Sequence, residues 1–449
     1  MHIDSESKRW YVLFLLTGVY ALNIADRFVV STLIEPIKAE LHISDAAIGL
    51  LTGGALAIFY VAAGLPLSVL ADRVNRRNLV ALSLGAWSLM TAVCGITRSF
   101  WQLMAARVLV GVGEAGGTPP SQSLISDYFP WRRRAFALSI YAVGASIGSM
   151  LGSSAGYLSD LWGWRSAFFV LGLPGIAIAG LLYATVKEPA RGRLDAPAVA
   201  GASADAPPAD APSADVPSSD GQRPGFSDML KFTRHQPALL HALLGGALYS
   251  TWAFGSLWWS PSFLVRTHHM ILGDAGGALS LMHGIGGTAV LLGTTVLMGK
   301  LTGRDARAVP WFLALCCALG TIPAVGALIV PSRTAALSMF WLFVPLSYAP
   351  IGPCFALIQN LVPARMRSKI VGLFLLMTTV GNLVIAPQIV GNSSDLLTSR
   401  YGGDALRMAL LPLSLVGIWA AAHFWMCSID LKAGLIRAGN SRGLEIAAD

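Results

Sequence analysis

The sequence predicts an all-α integral membrane protein with twelve transmembrane helices in two six-helix halves and both termini cytoplasmic. Three observations carry this reading. Hydrophobic residues make up 54% of the 449 residues and charged residues 12%, about half the charged share of a soluble domain, and the mean hydropathy is +0.61. The apolar residues fall in runs of about 20 or more, which at about 1.5 Å per residue cross a hydrocarbon core of about 30 Å. Of the 32 lysines and arginines, 23 lie in the termini, the middle loop and alternate loops, seven in the opposite loops, and two, Arg27 and Arg107, within spans. This bias puts the termini and the middle loop inside. In such a chain the net charge of +8 marks topology rather than nucleic-acid binding.

In order, the apolar runs lie near 10–34, 46–70, 79–97, 100–127, 135–161 and 164–186, then near 238–265, 276–302, 309–330, 335–362, 369–392 and 406–427. Residues 1–187 thus make an N-terminal six-helix half, residues 237–430 a C-terminal one, and residues 431–449 a cytoplasmic tail. Between them, 188–236 reads as a disordered cytoplasmic linker of Ala, Pro, Ser and Asp, with Asp205, Asp210, Asp215 and Asp220 five residues apart. Its apolar surface is too small to offset chain entropy. It closes with a short interfacial helix from Phe226 to Phe232. Pro363-Ala364-Arg365-Met366-Arg367 falls on Pro130-Trp131-Arg132-Arg133-Arg134 at an offset of 233, so the halves echo each other. Duplicated halves suggest a transporter with its site between them, near the bilayer midplane.

Lys8 and Arg9 precede a run too long for a cleavable signal, so the first span is expected to remain. Cys94, Cys316, Cys317, Cys354 and Cys427 lie within spans, without ligand spacing, and read as packing residues rather than disulfides or metal ligands. The chain shows no phosphate-cradling glycine loop, metal-ligand cluster or nucleophile constellation, so no enzyme, cofactor or metal is expected.

Four ionisable residues inside spans ask for a function, because each costs about 2.5–3.5 kcal/mol in the bilayer unless it faces a cavity or a partner. Asp26 and Arg27 lie in the first span, about 100° apart around the helix. Arg107 and Glu114 lie two turns apart on one face of the fourth. Helical rise puts Asp26 about 24 Å above Trp10, Arg107 about 10 Å below the outer end of the fourth span, and Glu114 about 21 Å below it. Asp26 and Arg107 are therefore expected to share a level, with Glu114 deeper. The four are either structural glue or groups that titrate or bind substrate, and the small gain from buried pairs favours the second reading.

Elsewhere, Tyr249, Trp252, Phe254 and Trp258 in the seventh span suit the wall of a cavity for an amphipathic ligand, set against their use as packing or interface aromatics. His283 reads as a hydrogen-bonded structural histidine in preference to a proton relay. Asn382 and Gln388 read as interhelical hydrogen bonders. Gly144, Gly148, Gly152 and Gly156 line one face of the fifth span, where close helix contact would give a surface for rocking.

The loop Ser68-Val69-Leu70-Ala71-Asp72-Arg73-Val74-Asn75-Arg76-Arg77 resembles the signature of the major facilitator superfamily, with Ser68 and Asn75 where the family has glycine. A weaker echo, Gly299-Lys300-Leu301-Thr302-Gly303-Arg304, occupies the matching place in the second half. The resemblance implies the major facilitator fold and an inner gate at Asp72, Arg73, Arg76 and Arg77, of which Asp72 pairs with neighbouring loops or a helix end. The three arginines serve equally as topology signals. Asn23-x-x-Asp26-Arg27, Gly113-Glu114 with Pro119, Pro130 with its basic cluster, and Phe254-Gly255-Ser256-Leu257-Trp258-Trp259-Ser260-Pro261 are similar to the spinster-like branch. That branch is associated with lysophospholipids and sphingoid phosphates, and with proton coupling in bacterial forms. The resemblance implies Asp26 and Glu114 as proton-coupling carboxylates, with Arg27 and Arg107 as their charge partners or as contacts for an anionic head group.

The expectation is a monomeric secondary transporter in the bilayer, in the inner membrane if bacterial. It would carry an amphipathic anionic lipid by alternating access coupled to protons. The alternatives are a small organic-anion symporter or a multidrug exporter, and, from a different class, a membrane sensor that does not transport.

Overall fold

A computed structural model of the chain describes residues 5–54, 59, 74–191, 194, 226–301, 305–363 and 366–439. Their regular structure is helical throughout. The first group of helices comprises α1 (Glu6–Thr32), α2 (Ile34–Leu41), α3 (Asp45–Gly49), α4 (Arg76–Cys94), α5 (Phe100–Glu114), α6 (Thr118–Tyr128), α7 (Trp131–Ser153), α8 (Ala155–Trp162) and α9 (Trp164–Thr185). A separate short helix, α10 (Phe226–Arg234), precedes the second group. That group comprises α11 (Pro237–His268), α12 (Leu272–Leu281), α13 (Thr288–Leu301), α14 (Ala308–Ile329), α15 (Arg333–Leu346), α16 (Ile351–Asn360), α17 (Arg367–Thr379), α18 (Ala386–Tyr401), α19 (Ala405–Ile429) and α20 (Leu431–Arg437).

The duplication is visible in local chemistry. Ser99 caps α5 by accepting from the Gln102 amide, and Ser332 caps α15 by accepting from the Ala335 amide, again 233 residues apart. Each of these helices then breaks and resumes, as α6 at Thr118 and as α16 at Ile351, at the same offset. Glycines in one copy and Pro345 and Pro350 in the other interrupt the backbone ladder. Left-handed residues, His42 after α2 and His269 after α11, turn the chain at matching places. Wide π turns also occur at Leu50–Gly54 and Met282–Gly287.

Among the described residues, eight helical stretches are long and apolar enough to cross a membrane. The fourth span falls outside that measure because it carries Arg107 and Glu114 and breaks after Glu114. Likewise α11 is diluted by Gly, Ser, Tyr and Trp. Most of the expected second span, with Asp72 and Arg73, lies outside the described residues.

The end of the bundle that carries Glu6, Glu188 and α10 is the proximal end, and the opposite end is distal. The buried apolar side chains divide into two bodies. One fills the proximal part of the first group, around Val12, Leu16, Trp87 and Tyr128. The other runs without interruption from the second group into the distal part of the first, through Ala25, Val30, Ile34, Ile48 and Phe168. The two groups therefore share a core at the distal end. All five cysteines are buried and free.

Candidate functional site

Helix α1 carries the site because its polar residues recur at helical spacing. Tyr20, Asn23, Arg27 and the adjacent Ile24 and Phe28 all line one central cavity of about 320 Å³. The second group supplies Tyr249, Ser250, Phe254, Trp258, Tyr348 and Asn382 to the opposite wall. Three of the four aromatics expected there are present. Trp252 is not: it packs on Phe343 at 5.4 Å between ring centroids and fills the space left by Gly320 and Gly417. It occupies the face of α11 turned toward α14 and α19, away from the cavity face.

The four intramembrane charges form one cluster. Arg27 donates through Nε and Nη2 to Glu114 Oε2, at 3.0 and 2.8 Å. The reach of the arginine side chain spans the difference in level that helical rise alone implied. Arg27 is 18% exposed, toward the cavity, whereas the Glu114 side chain is completely buried. Asp26, a third of a turn away, points behind this pair, beside Thr91 and near Arg107 and Glu114. Arg107 is completely buried, and none of its three guanidinium nitrogens has a hydrogen-bond partner among the described residues. Asp26 Oδ1, Glu114 Oε1, Thr91 Oγ1 and Trp87 Nε1 are likewise unpartnered. Buried polar groups left without partners in this way are costly in a dry interior.

A second polar centre, absent from the sequence reading, joins the two groups at the distal end. Asp45 accepts from Arg266 through both carboxylate oxygens, at 2.6 and 2.7 Å, and from Lys38 and Ser394. Arg266 also donates to Glu35 at 2.9 Å. Asp395 accepts from the Asp45 and Ala46 amides at the start of α3, and Gln388 donates to the Ala46 carbonyl. Burial alone would raise the Asp45 carboxyl, but the Arg266, Lys38 and Ser394 contacts outweigh it and hold the group at about 2. The sequence signal was weak, since these residues lie between or at the ends of separate apolar runs and become neighbours only when the distal ends meet.

At the proximal end Arg76 donates to Asp127, Ser123 and Glu188. The Arg77 amide donates to Glu188, and its side chain to the Tyr183 and Val186 carbonyls. These two arginines fasten α4 to the ends of α6 and α9 within one group. Asp72 and Arg73 lie outside the described residues. The glycine face also serves the interior of the first group. A Cβ on Gly144, Gly148 or Gly152 would meet the α1 carbonyl of Thr17, Ala21 or Ala25 at 2.3–2.8 Å, and only Gly156 meets the second group, at Leu272. Three of the four glycines therefore pack α7 against α1, and Gly156 alone of the four packs against the second group. His283 is hydrogen-bonded to Tyr348 and Asn382 to Ser250.

Residues 16–386 match the family profile described as Major Facilitator Superfamily. An MFS-type efflux pump of Mycolicibacterium smegmatis is 33% identical over 97% of this chain and 96% of its own length. Human protein spinster homolog 1 is 28% identical over 97% of this chain and 83% of its own. Among solved structures, a bacterial homologue of the human lysosomal transporter spinster, inward-facing and unoccupied, superposes with a TM-score of 0.79 at 26% identity, covering 96% of this chain and 99% of the other. The chain therefore belongs to the Major Facilitator Superfamily, as a multi-pass membrane transporter rather than an enzyme, related along its length to the spinster proteins.

Proposed function

We propose that the protein is a proton-coupled, alternating-access transporter of an amphipathic anionic lipid such as a lysophospholipid or sphingoid phosphate. Its twelve spans would be arranged as two six-helix halves with both termini cytoplasmic. The carrying observation is the asymmetric cavity: Arg27 enters from one side, and Tyr249, Phe254, Trp258 and Phe374 form an apolar wall on the other. A volume of about 320 Å³ lies at the small end of ligand sites, about 300–1,000 Å³, and takes a head group with the start of a chain. An anionic head group competes with Glu114 for Arg27, because one guanidinium fork serves one bidentate partner at a time. Displaced from Arg27, Glu114 loses its compensating charge and takes up a proton. Binding and protonation are then linked without a relay beyond the Arg27–Glu114 contact, with the charges of Asp26 and Arg107 close behind it.

With the distal end outside, as the lysine and arginine distribution argues, the distal network closes the outer side and the conformation is inward-facing, like that of the spinster homologue it superposes on. The efflux pump among the relatives keeps drug export as the second reading, favoured by the aromatic cavity wall.

Proteoliposomes holding wild type or Glu114→Gln test the proposal, with internal pH followed during addition of a lysophospholipid. Lipid-dependent proton movement in the wild type and its loss in the variant are expected. Clear lipid flux without proton movement, or an equally active variant, overturns the coupling. Proton movement driven by cationic drugs but by no lysophospholipid replaces the substrate.

A further inference from the structure

The second half places a phenol where the first half places its acid. Glu114 and Ser347 occupy the same position in the repeat, and Tyr348 follows Ser347 in the break between α15 and α16. Tyr348 lines the cavity and is held from behind. Its hydroxyl is 2.9 Å from His283 Nδ1, and its ring lies flush on Gly287, where a Cβ would approach it to 2.9 Å. His283 and Gly287 both belong to the π turn Met282–Gly287, a departure from α geometry that often re-aims side chains at functional sites. The imidazole is clamped in turn, its ring edge-on to Phe28 at 5.0 Å, and Phe28 adjoins Arg27. Across the interface stands Ser149, whose hydroxyl is committed as a donor to the Ala145 carbonyl.

We propose that Tyr348, positioned by His283, is a second polar anchor of the cavity, which hydrogen-bonds a ligand hydroxyl a few bonds from the anionic group held by Arg27. This rests on the reading of the cavity as a lipid head-group site, and narrows it to lipids with a free hydroxyl beside the phosphate, as in lysoglycerophospholipids and sphingoid phosphates. The phenol faces His283 on one side and Ser149 on the other, and an oxygen that can donate once and accept as well keeps capacity for a ligand hydroxyl. Arg27, Phe28 and Tyr348 line the same cavity, with His283 behind the phenol, so one ligand can meet both anchors. The two halves would thus hold the ligand through different chemistry, charge on one side and a neutral hydroxyl on the other.

The test measures binding of 1-oleoyl lysophosphatidate and of its 2-deoxy analogue, which lacks only the glycerol hydroxyl, to the full chain in nanodiscs. The wild type is expected to prefer the hydroxylated lipid by about 3- to 10-fold, the worth of one neutral hydrogen bond. Tyr348→Phe removes that preference and leaves the deoxy lipid bound as before. His283→Phe does the same, the double variant loses no more than Tyr348→Phe alone, and His283→Gln, which keeps polar atoms beside the phenol, retains part of the preference. An unchanged preference in Tyr348→Phe, or equal weakening of both lipids, overturns the assignment. Wild type that binds both lipids without preference overturns the anchor alone, whereas wild type that binds neither removes the lipid reading together with it.

Discussion

At Asp45 a single carboxylate gathers contacts from both groups of helices. It is 1% exposed, receives Arg266, Lys38 and Ser394, and is held at about 2 against an ordinary 3.8. The sign follows from linkage: a depressed carboxylate contributes stability that is complete above its ordinary value and lost as pH falls through about 2. Opening that frees Asp45 forfeits about 2 kcal/mol at neutral pH, so Asp45→Asn is expected to populate a distally open state. Spin labels at Ala39→Cys and Leu396→Cys, both exposed positions, should report longer distances in that variant. In the wild type the distances should not change between pH 7 and 5, since Asp45 stays ionised throughout. The residues inside the bilayer were the easiest to find from sequence, because a charge in an apolar run stands out. Their pairing was not legible, since rise per residue gives the height of a Cα and not the reach of an arginine.

At the scale of elements, α1 and α7 form the tightest seam of the first group. Small residues at four-residue steps let α7 lie against the α1 carbonyls, and Gly148 is the tightest of them, with a Cβ there 2.3 Å from the Ala21 oxygen and 2.7 Å from Ile24 Cβ. Gly148→Val is expected to destabilise the fold by about 1–3 kcal/mol, as overpacking does, read as a fall in the melting temperature of the detergent-solubilised protein. A variant as stable as wild type would show that α1 is free to move away. The spacing of these glycines was plain in the sequence, but the helix they face was not, because periodicity names a face and leaves its neighbour open. The same holds for α11: its aromatics were evident, while the division between Trp258 on the cavity and Trp252 in the interior depends on helix rotation. The caps at Ser99 and Ser332, with the breaks after them, extend the repeat beyond the basic loops that first revealed it.

Across the whole molecule, the shared distal core and the separate proximal one describe two bodies joined at one end. Thr378 is half-buried and lines the cavity, so a cysteine there tests access. Thr378→Cys is expected to react with a membrane-impermeant maleimide applied from the side of the termini and to be protected from the other side. Equal labelling from both sides would contradict the closed distal end. The apolar runs made the helical bundle and its two-part organisation legible, because hydropathy records what faces lipid. The distal network escaped notice because its members, spread from Glu35 to Asp395, are ordinary loop charges until the chain brings them together.

That network also separates the fastening from the fuel. A transporter that draws on a proton gradient meets acid on the side where protons enter, and a fastening built from histidines would come undone in that bath. One built on a sequestered carboxylate and a guanidinium ignores it. Under the proposed coupling, acidity outside would then act through the groups that carry protons across, and a gradient would drive the cycle without prying open its door.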